Sequence, residues 1–233
     1  MKLSHFKGLF RTHELQFLSA TRVADEYILV TMRAQNPMGW EAGQHGIFTL
    51  PGKKIKGRPF RIFSIASAPG EGTILIGSRA TANPSQFKGA LTSMQLGQTV
   101  RLRGPFGHFV VRDSTSPLVL IATGIGIPVM RSLLNSMQDE TTRPIHLIHS
   151  SPAFPLFSDE FKALAQKNKL IKLTFVPNGE ELQEALTAVA LTYGQSAFYY
   201  VSGSPKDVRS TKALLKSLKI GAKRIISDSF FGY

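Results

Sequence analysis

The order of apolar and polar positions changes character near the middle of the chain. In the first half, short runs of alternating apolar and polar residues are separated by turn residues, a pattern typical of strands with one buried face. One helical pattern interrupts them, beginning at Ser85 and ending at Leu96-Gly97. This half is therefore expected to form an antiparallel β-barrel with one helix. The predicted strands cover residues 15–21, 26–33, 45–50, 58–67, 73–79 and 99–103.

After residue 113 the pattern becomes one of apolar strands that alternate with helices. Such alternation favours right-handed crossovers and a parallel, doubly wound α/β sheet. The sequence therefore predicts two domains, a β-barrel over 1–112 and an α/β domain over 113–233. The second domain has predicted strands at 118–122, 145–149, 170–176, 198–201 and 224–227, with helices after Gly126 and at 159–167, 180–190 and 205–218.

Composition narrows the chemistry that is open to the chain. There is no cysteine, so the chain has no disulfide and no thiolate iron–sulfur cluster of its own, and redox chemistry would need a bound organic cofactor. The six histidines show no ligand spacing, and no metal site is expected. The most apolar stretch, 117–130, is short and broken by glycine and proline, and the start lacks a signal-peptide pattern. We expect a soluble, cytoplasmic protein without membrane insertion.

Positive charge is concentrated in the first half of the chain. Of the formal net charge of +13, residues 1–112 contribute +10, from 15 Lys and Arg against 5 Asp and Glu. Such a field favours an acidic partner, a nucleic acid or an anionic surface without choosing among them. A basic turn precedes the strand over 58–67, and it is interpreted either as a solvated hairpin tip or as a docking site: Lys53, Lys54, Lys56 and Arg58.

The segment RIFSIAS, residues 61–67, combines a guanidinium, an aromatic ring and hydroxyls on one predicted strand. Alternation places Arg61 and Phe63 on the same face, which by itself is also compatible with an ordinary core strand. The later segment NPSQFKGAL favours a ligand site over a plain core strand, because Ser85 can cap a helix whose first N–H groups form an anion site. Arg61 would offer a guanidinium fork to the same anion.

Two glycine turns in the second half follow apolar strands and open helices. IATGIGIPVMRSLL places Gly124 and Gly126 where a pyrophosphate can approach backbone N–H groups, with Pro128 in the first helical turn. VSGSPKDV repeats the layout with Gly203 and Ser204. Glycines needed only for the turn and plain capping by Ser204 are the alternative interpretations.

Six motifs in order resemble the ferredoxin–NADP reductase superfamily. The resemblance runs from about residue 12 to the last residue, and it agrees with a barrel followed by a doubly wound domain. The motifs are RIFSIAS, NPSQFKGAL, GPFGHF, IATGIGIPVMRSLL, VSGSP and a terminal FFGY.

The resemblance implies FAD in the barrel domain. Arg61 would bind its pyrophosphate, Phe63 would stack on the isoalloxazine, and Ser64 would hydrogen-bond near flavin N5. Tyr233 would cover the other flavin face, so Ser64 and Tyr233 are the expected catalytic positions. The other expected FAD-binding residues are Ser67, Ser85, Gln86 and Phe87.

The resemblance also implies NADPH or NADH as the substrate of the second domain. Three departures fall here: Ser202-Gly203 stands where members commonly have Cys-Gly, Pro128-Val129 replaces Thr-Pro, and Ser150-Ser151-Pro152 carries no arginine. NADPH and NADH both stay open, with NADPH slightly favoured. The expected dinucleotide contacts are Thr123, Gly124, Gly126, Ser150, Ser151, Gly203 and Ser204.

These features predict an FAD-dependent NAD(P)H oxidoreductase that passes electrons to an acidic carrier protein, ferredoxin or flavodoxin. A reductase of ferric chelates or free flavin, or a detached reductase subunit, is the alternative among enzymes. A flavin-binding regulatory subunit is the alternative without turnover. A nucleic-acid-binding module is disfavoured, since no basic–aromatic motif of that kind is present.

Overall fold

The computed structural model describes residues 8–152 and 154–229. These residues form two compact units, one up to Val110 and the other from Val111 onward. None of the helices in the described ranges combines the length and apolar character that a membrane span requires.

The first unit is a curled antiparallel sheet of six strands in the order β4-β3-β6-β1-β2-β5, which confirms the predicted barrel-like fold as a half-barrel. Ala24 and Asp25 take positive φ values of 48° and 54°, and so close the β1–β2 hairpin with the backbone twist that such turns favour. The elements are β1 (Thr12–Val23), β2 (Tyr27–Ala34), β3 (His45–Thr49), β4 (Phe60–Ser64), β5 (Ile74–Arg79), α1 (Gln86–Thr92) and β6 (Thr99–Phe106).

The two edge strands of this sheet, β4 and β5, approach each other just beyond the end of β4. The Ala66 N–H donates to the Leu75 carbonyl at 2.7 Å, so the sheet curls far enough to bring its edges together. Helix α1 buries Phe87 and Leu91 in the apolar core that the strands enclose. The start of α1 therefore lies close to the end of β4, which is where the sequence predicts a cofactor.

Most boundaries in the first unit differ from the sequence prediction by a few residues. Strand β4 ends at Ser64 rather than Ser67, and α1 ends at Thr92 rather than near Leu96. Strand β6 runs three residues beyond its predicted end at Arg103, since Phe106 still pairs with His45 of β3. The Gly104-Pro105 step therefore bends the strand without ending it.

The second unit is a parallel sheet of five strands in the order β11-β10-β7-β8-β9, with helices in the crossovers, as the sequence predicts. The first three strands along the chain pair from the middle to one edge, and the later strands return to the other side of β7. Strand order therefore reverses between β7 and β10, a position at which α/β sheets bind ligands. The elements are β7 (Leu118–Thr123), α2 (Ile127–Ser136), β8 (Ile145–Ser150), α3 (Ser158–Lys167), β9 (Ile171–Val176), α4 (Gly179–Tyr193), β10 (Phe198–Gly203), α5 (Pro205–Ser217) and β11 (Ile225–Ser229).

Candidate cofactor sites

Arg61 is a buried cation on the inner side of the first unit, with 7% of its surface exposed. Its Nη1 donates to the backbone carbonyls of Arg58 and Phe60, both at 2.8 Å. The guanidinium carbon lies 5.4 Å from the ring centre of Phe87, a cation–π distance. These contacts fix the guanidinium beside the first turn of α1.

Lys88, which the sequence analysis did not single out, is a second cation in the first turn of α1. Burial, and then the charge of Arg61, lower the pKa of the Lys88 ammonium. Both causes disfavour the charged form of Lys88, because burial removes the ammonium from water and Arg61 is a like charge. A bound anion between Lys88 and Arg61 would reverse the second cause and stabilise both charges.

The first turn of α1 is anchored to the basic loop that follows β3. Ser85 caps the helix by accepting a hydrogen bond from Lys88 N, and Gln86 Oε1 accepts one from Lys56 N at 2.7 Å. Ile55 packs against the apolar core between the exposed lysines of this loop. The loop and the helix start are thus held together as one surface.

Phe63 is a core residue whose edge lies at an apolar recess. Its ring meets Phe48 at a centroid distance of 5.7 Å and Phe87 at 6.5 Å. It is 9% exposed and lines a recess together with residues of β2, β5 and α1, among them Val30 and Ile76. The expected aromatic position is therefore built into the core, and its contact with a flavin stays a prediction.

The two serines after Phe63 differ in what holds them. Ser67 is fully buried, and its Oγ accepts a hydrogen bond from Leu75 N at 3.1 Å, so it joins the two edge strands. Ser64 is 4% exposed at the last residue of β4. The structure thus gives Ser67 a structural bond, and the cofactor roles of both serines stay predictions.

In the second unit, the glycine turn after β7 packs directly against the end of β10. Gly124 has a φ of 49° and opens a short 3₁₀ turn that leads into α2. A Cβ at Gly126 would lie 2.3 Å from the Ser202 carbonyl oxygen. A Cβ at Gly203 would lie 1.9 Å from Thr123 Oγ1. Both glycines are therefore required for close packing of the two strand ends, whether or not a ligand is bound.

Asp207 joins these strand ends through hydrogen bonds. Thr123 Oγ1 donates to Asp207 Oδ2 at 3.2 Å, and Ser204 Oγ donates to the same oxygen at 2.7 Å. Ser204 Oγ also accepts from Asp207 N at 3.2 Å, as an N-cap does. The predicted residues Thr123 and Ser204 are thus brought together, and the carboxylate that links them was missed in the sequence.

His149 supports the glycine turn from the neighbouring strand β8. The residue is fully buried, and its Nε2 lies 3.1 Å from the Gly124 carbonyl oxygen. Burial lowers the pKa of His149 to about 4, so the ring is neutral near pH 7 and Nε2–H is the donor. Nδ1 has no hydrogen-bond partner in the described part of the chain.

The predicted contacts at the end of β8 have their hydroxyls turned toward backbone carbonyls. Ser150 Oγ donates to Asn178 O at 3.4 Å, and Ser151 Oγ donates to Phe154 O at 3.0 Å.

Ser202, at the position of the expected cysteine, is fully buried, and its Oγ has no partner within the described ranges. Tyr233 lies outside the described residues. Across 8–152 and 154–229, no group of three or more His, Asp or Glu side chains is placed to hold a metal ion.

Comparison with known proteins agrees with this two-unit arrangement. No protein-family model matches the chain. A CDP-6-deoxy-L-threo-D-glycero-4-hexulose-3-dehydrase reductase of Yersinia pseudotuberculosis is 26% identical over 185 residues, covering 77% of this chain and 54% of that protein. A flavohemoprotein of Deinococcus radiodurans is 24% identical over 237 residues, covering 92% and 58%. The chain thus spans about half the length of the curated relatives it matches.

The solved structures extend this likeness over the whole described fold. A ferredoxin NADP+ reductase of Neisseria gonorrhoeae with bound FAD and NADP has a TM-score of 0.76 at 20% identity, over 94% of this chain and 99% of that one. A ferredoxin reductase of carbazole 1,9a-dioxygenase has a TM-score of 0.78 at 18% identity, covering 95% and 68%. The proteins similar to this chain are thus named as a reductase, a flavohemoprotein and ferredoxin reductases. The resemblance in the motifs and the predicted fold class are both confirmed.

Proposed function

We propose that this chain is an FAD-dependent NAD(P)H oxidoreductase that passes electrons to a one-electron carrier such as ferredoxin or flavodoxin. The support from comparison is that its relatives are named reductases and that the Neisseria structure holds FAD and NADP. The support from the chain itself is that each unit has a site whose residues fit one of the two cofactors.

The observation that carries the proposal is the pair of cations at the start of α1. Arg61 is buried and its guanidinium carbon lies 5.4 Å from the ring centre of Phe87 in the first turn of that helix, while burial, and then the charge of Arg61, lower the pKa of the Lys88 ammonium. The first N–H groups of a helix add partial positive charge at the same place. A diphosphate such as that of FAD would bring negative charge to these two cations.

The residues of the first unit would bind FAD by charge and by apolar contact. Arg61 and Lys88 would hold the diphosphate, and Phe63 would contact the flavin ring. FAD, when bound, accepts a hydride and releases its two electrons singly. The chain needs no side-chain acid or base for that exchange, so the work of Ser64 is to position the ring.

The residues of the second unit would bind the nicotinamide dinucleotide at the ends of β7 and β10. The 3₁₀ turn and α2 present backbone N–H groups there, as dinucleotide sites in parallel sheets require. Gly126 and Gly203 let the two strand ends meet closely. Because the hydroxyls of Ser150 and Ser151 are already used by backbone carbonyls, we no longer favour NADPH over NADH.

The basic loop after β3 supports an acidic protein as the electron acceptor. Lys53, Lys54 and Lys56 are exposed, and none of them forms an ion pair with a described carboxylate. The bond from Lys56 N to Gln86 holds this charge next to the proposed FAD site. Opposite charge on a carrier would steer its approach and lower the rate at high salt.

A reductase component that works with other chains is the second candidate, and one observation favours it. The chain has no cysteine to hold an iron–sulfur cluster of its own. A direct one-electron acceptor would then be a partner protein. Reduction of ferric chelates at a rate equal to that of protein carriers would argue against both candidates.

The decisive experiment is reconstitution of the purified chain with FAD, followed by anaerobic titration with NADH and with NADPH. We expect flavin absorbance that persists through gel filtration and bleaches on addition of one or both nucleotides. A chain that retains no FAD contradicts the proposal. Retention of FAD without bleaching would instead indicate a flavin-binding subunit without turnover.

Arg61→Ala tests the residue on which the proposal depends. We expect at least a tenfold weaker FAD affinity, measured by flavin fluorescence during titration of the apoprotein, because hydrogen-bonded charge pairs contribute about 1.5–3 kcal/mol. Arg61→Lys should be intermediate, since it keeps the charge and loses the fork. Arg101→Ala is the matched control, an exposed arginine on β6 that pairs with Glu14. Equal FAD affinities in Arg61→Ala and Arg101→Ala would refute the role of Arg61.

A further inference from the structure

Asp207 offers an unused acceptor at the meeting point of β7 and β10. Both of its side-chain hydrogen bonds, from Thr123 and from Ser204, arrive at Oδ2. Oδ1 has no hydrogen-bond partner among the described residues, and a carboxylate oxygen can accept two such bonds. Asp207 is half-buried, so its carboxylate is still accessible to a ligand.

The bond from Thr123 shows that Asp207 is more than a helix cap. Ser204 and Asp207 alone would complete the cap of α5, since they are three residues apart. Thr123 lies 84 positions earlier in the chain and reaches the same oxygen from the end of β7. The orientation of the carboxylate is thus fixed from two elements, with Oδ1 left for a third group.

The chemistry of the carboxylate selects the kind of group that it accepts. An ionised aspartate repels a pyrophosphate and accepts hydrogen bonds from hydroxyl or amide N–H groups. Nucleotide-binding α/β folds use carboxylates in this way to bind ribose hydroxyls. A dinucleotide carries both kinds of donor, in its riboses and in its carboxamide.

We propose that Asp207 Oδ1 accepts a hydrogen bond from a neutral donor of the nicotinamide dinucleotide, foremost a ribose hydroxyl, and so is a binding residue of this chain. The inference rests on the proposed function, because it assumes that the dinucleotide binds at the ends of β7 and β10. It gives the acidic group a definite role: it accepts the sugar and keeps phosphate away from the end of β10.

The test compares Asp207→Ala and Asp207→Asn with the wild type, each as the FAD-loaded full chain. NADH, ADP-ribose and inorganic pyrophosphate are the separate probes. We expect Asp207→Ala to weaken NADH binding about tenfold in titration calorimetry, and to weaken pyrophosphate binding not at all. An equal loss for ADP-ribose identifies a ribose hydroxyl as the donor, whereas a loss confined to NADH identifies the carboxamide. Asp207→Asn, which keeps an acceptor oxygen without the charge, should fall between the wild type and alanine.

Asn178→Ala is the matched control for loss of a helix cap. Asn178 caps α4 at the end of β9 by accepting from the N–H groups of Glu180 and Glu181. It should destabilise the second unit to a similar degree and leave NADH affinity within twofold.

Three outcomes would overturn the inference. The first is tighter binding of NADH and pyrophosphate in both Asp207 variants, which would mean that the carboxylate only repels. The second is an NADH affinity that Asp207→Ala leaves unchanged. The third is an equal loss of NADH affinity in Asn178→Ala. A wild-type chain that binds FAD and no NADH would contradict the proposed function itself.

Discussion

Replacing Gly203 with alanine tests how closely the ends of β7 and β10 pack. The new Cβ would lie 1.9 Å from Thr123 Oγ1, far inside van der Waals contact. The simplest escape is rotation of the Thr123 hydroxyl away from residue 203, which breaks its 3.2 Å bond to Asp207. A hydrogen bond to a charged group contributes about 1.5–3 kcal/mol, and partial exposure places this one at the lower end. We therefore expect Gly203→Ala to lower the free energy of unfolding by about 1–2 kcal/mol.

A second substitution isolates the cause of that loss. Thr123→Ala removes Oγ1, and the next atoms that the new Cβ meets, Thr123 Cβ and O, lie at 3.2 and 3.3 Å, which is tight but tolerable. Gly203→Ala should then cost less than about 0.5 kcal/mol in the Thr123→Ala background, which corresponds to a coupling energy near 1 kcal/mol. Gly126→Ala is the matched comparison, because it meets backbone atoms of Ser202 at 2.3 and 2.5 Å that no side-chain truncation removes.

The assay is urea unfolding of the full chain followed by far-ultraviolet circular dichroism, with all variants at one FAD concentration. Gly126→Ala should cost the same with and without Thr123→Ala. If Gly203→Ala costs the same in both backgrounds as well, the Thr123 hydroxyl is not what excludes a side chain at residue 203, and the packing argument fails.

Two further predictions concern charge. Hydrogen bonds from Thr142, and then from Arg143, lower the pKa of Glu140 to about 2. The carboxylate therefore stabilises the fold above its unfolded pKa near 4.5, and this stabilisation is lost as the pH falls toward 2. Glu140→Gln should therefore cost at most about 3 kcal/mol at pH 7 and progressively less below pH 4.5, as measured by urea unfolding at pH 7 and pH 3; an equal loss at both pH values would contradict this. Replacing the three basic-loop lysines with alanine should slow ferredoxin reduction at low salt several-fold and flatten its dependence on ionic strength, whereas a rate that salt does not change in the wild type would exclude electrostatic docking. The substitutions are Lys53→Ala, Lys54→Ala and Lys56→Ala.

The predicted elements agree with the structure to within a few residues wherever the hydrophobic period was clear. The strands β1 and β2 and the five parallel strands follow from local pattern, because burial of one face or both faces determines the alternation. The end of β6 was predicted too early, since glycine and proline normally stop a strand and here pairing with β3 continues past them.

The contacts within the candidate sites were less predictable, because they depend on which residues the fold brings together. Arg61 lies beside Phe87 only because α1 lies against the end of β4, and Asp207 meets Thr123 across 84 residues. His149 was interpreted as part of a buried strand, and its bond to Gly124 depends on the register of β8 against β7. Gly126 and Gly203 were predicted as dinucleotide contacts, which stays a prediction, and the structure adds a packing reason for both glycines that the sequence did not contain.

The single bond between Lys56 N and Gln86 Oε1 has a consequence for how carrier and flavin affect one another. If an acidic carrier draws the basic loop toward itself, the same movement pulls on the first turn of α1, where the diphosphate is proposed to bind. Coupling of this kind is reciprocal: whatever free energy FAD adds to or removes from carrier binding, the carrier adds to or removes from FAD binding. The flavin-free protein would therefore present a differently ordered loop, and a carrier would distinguish the loaded reductase from the empty one before any electron moves.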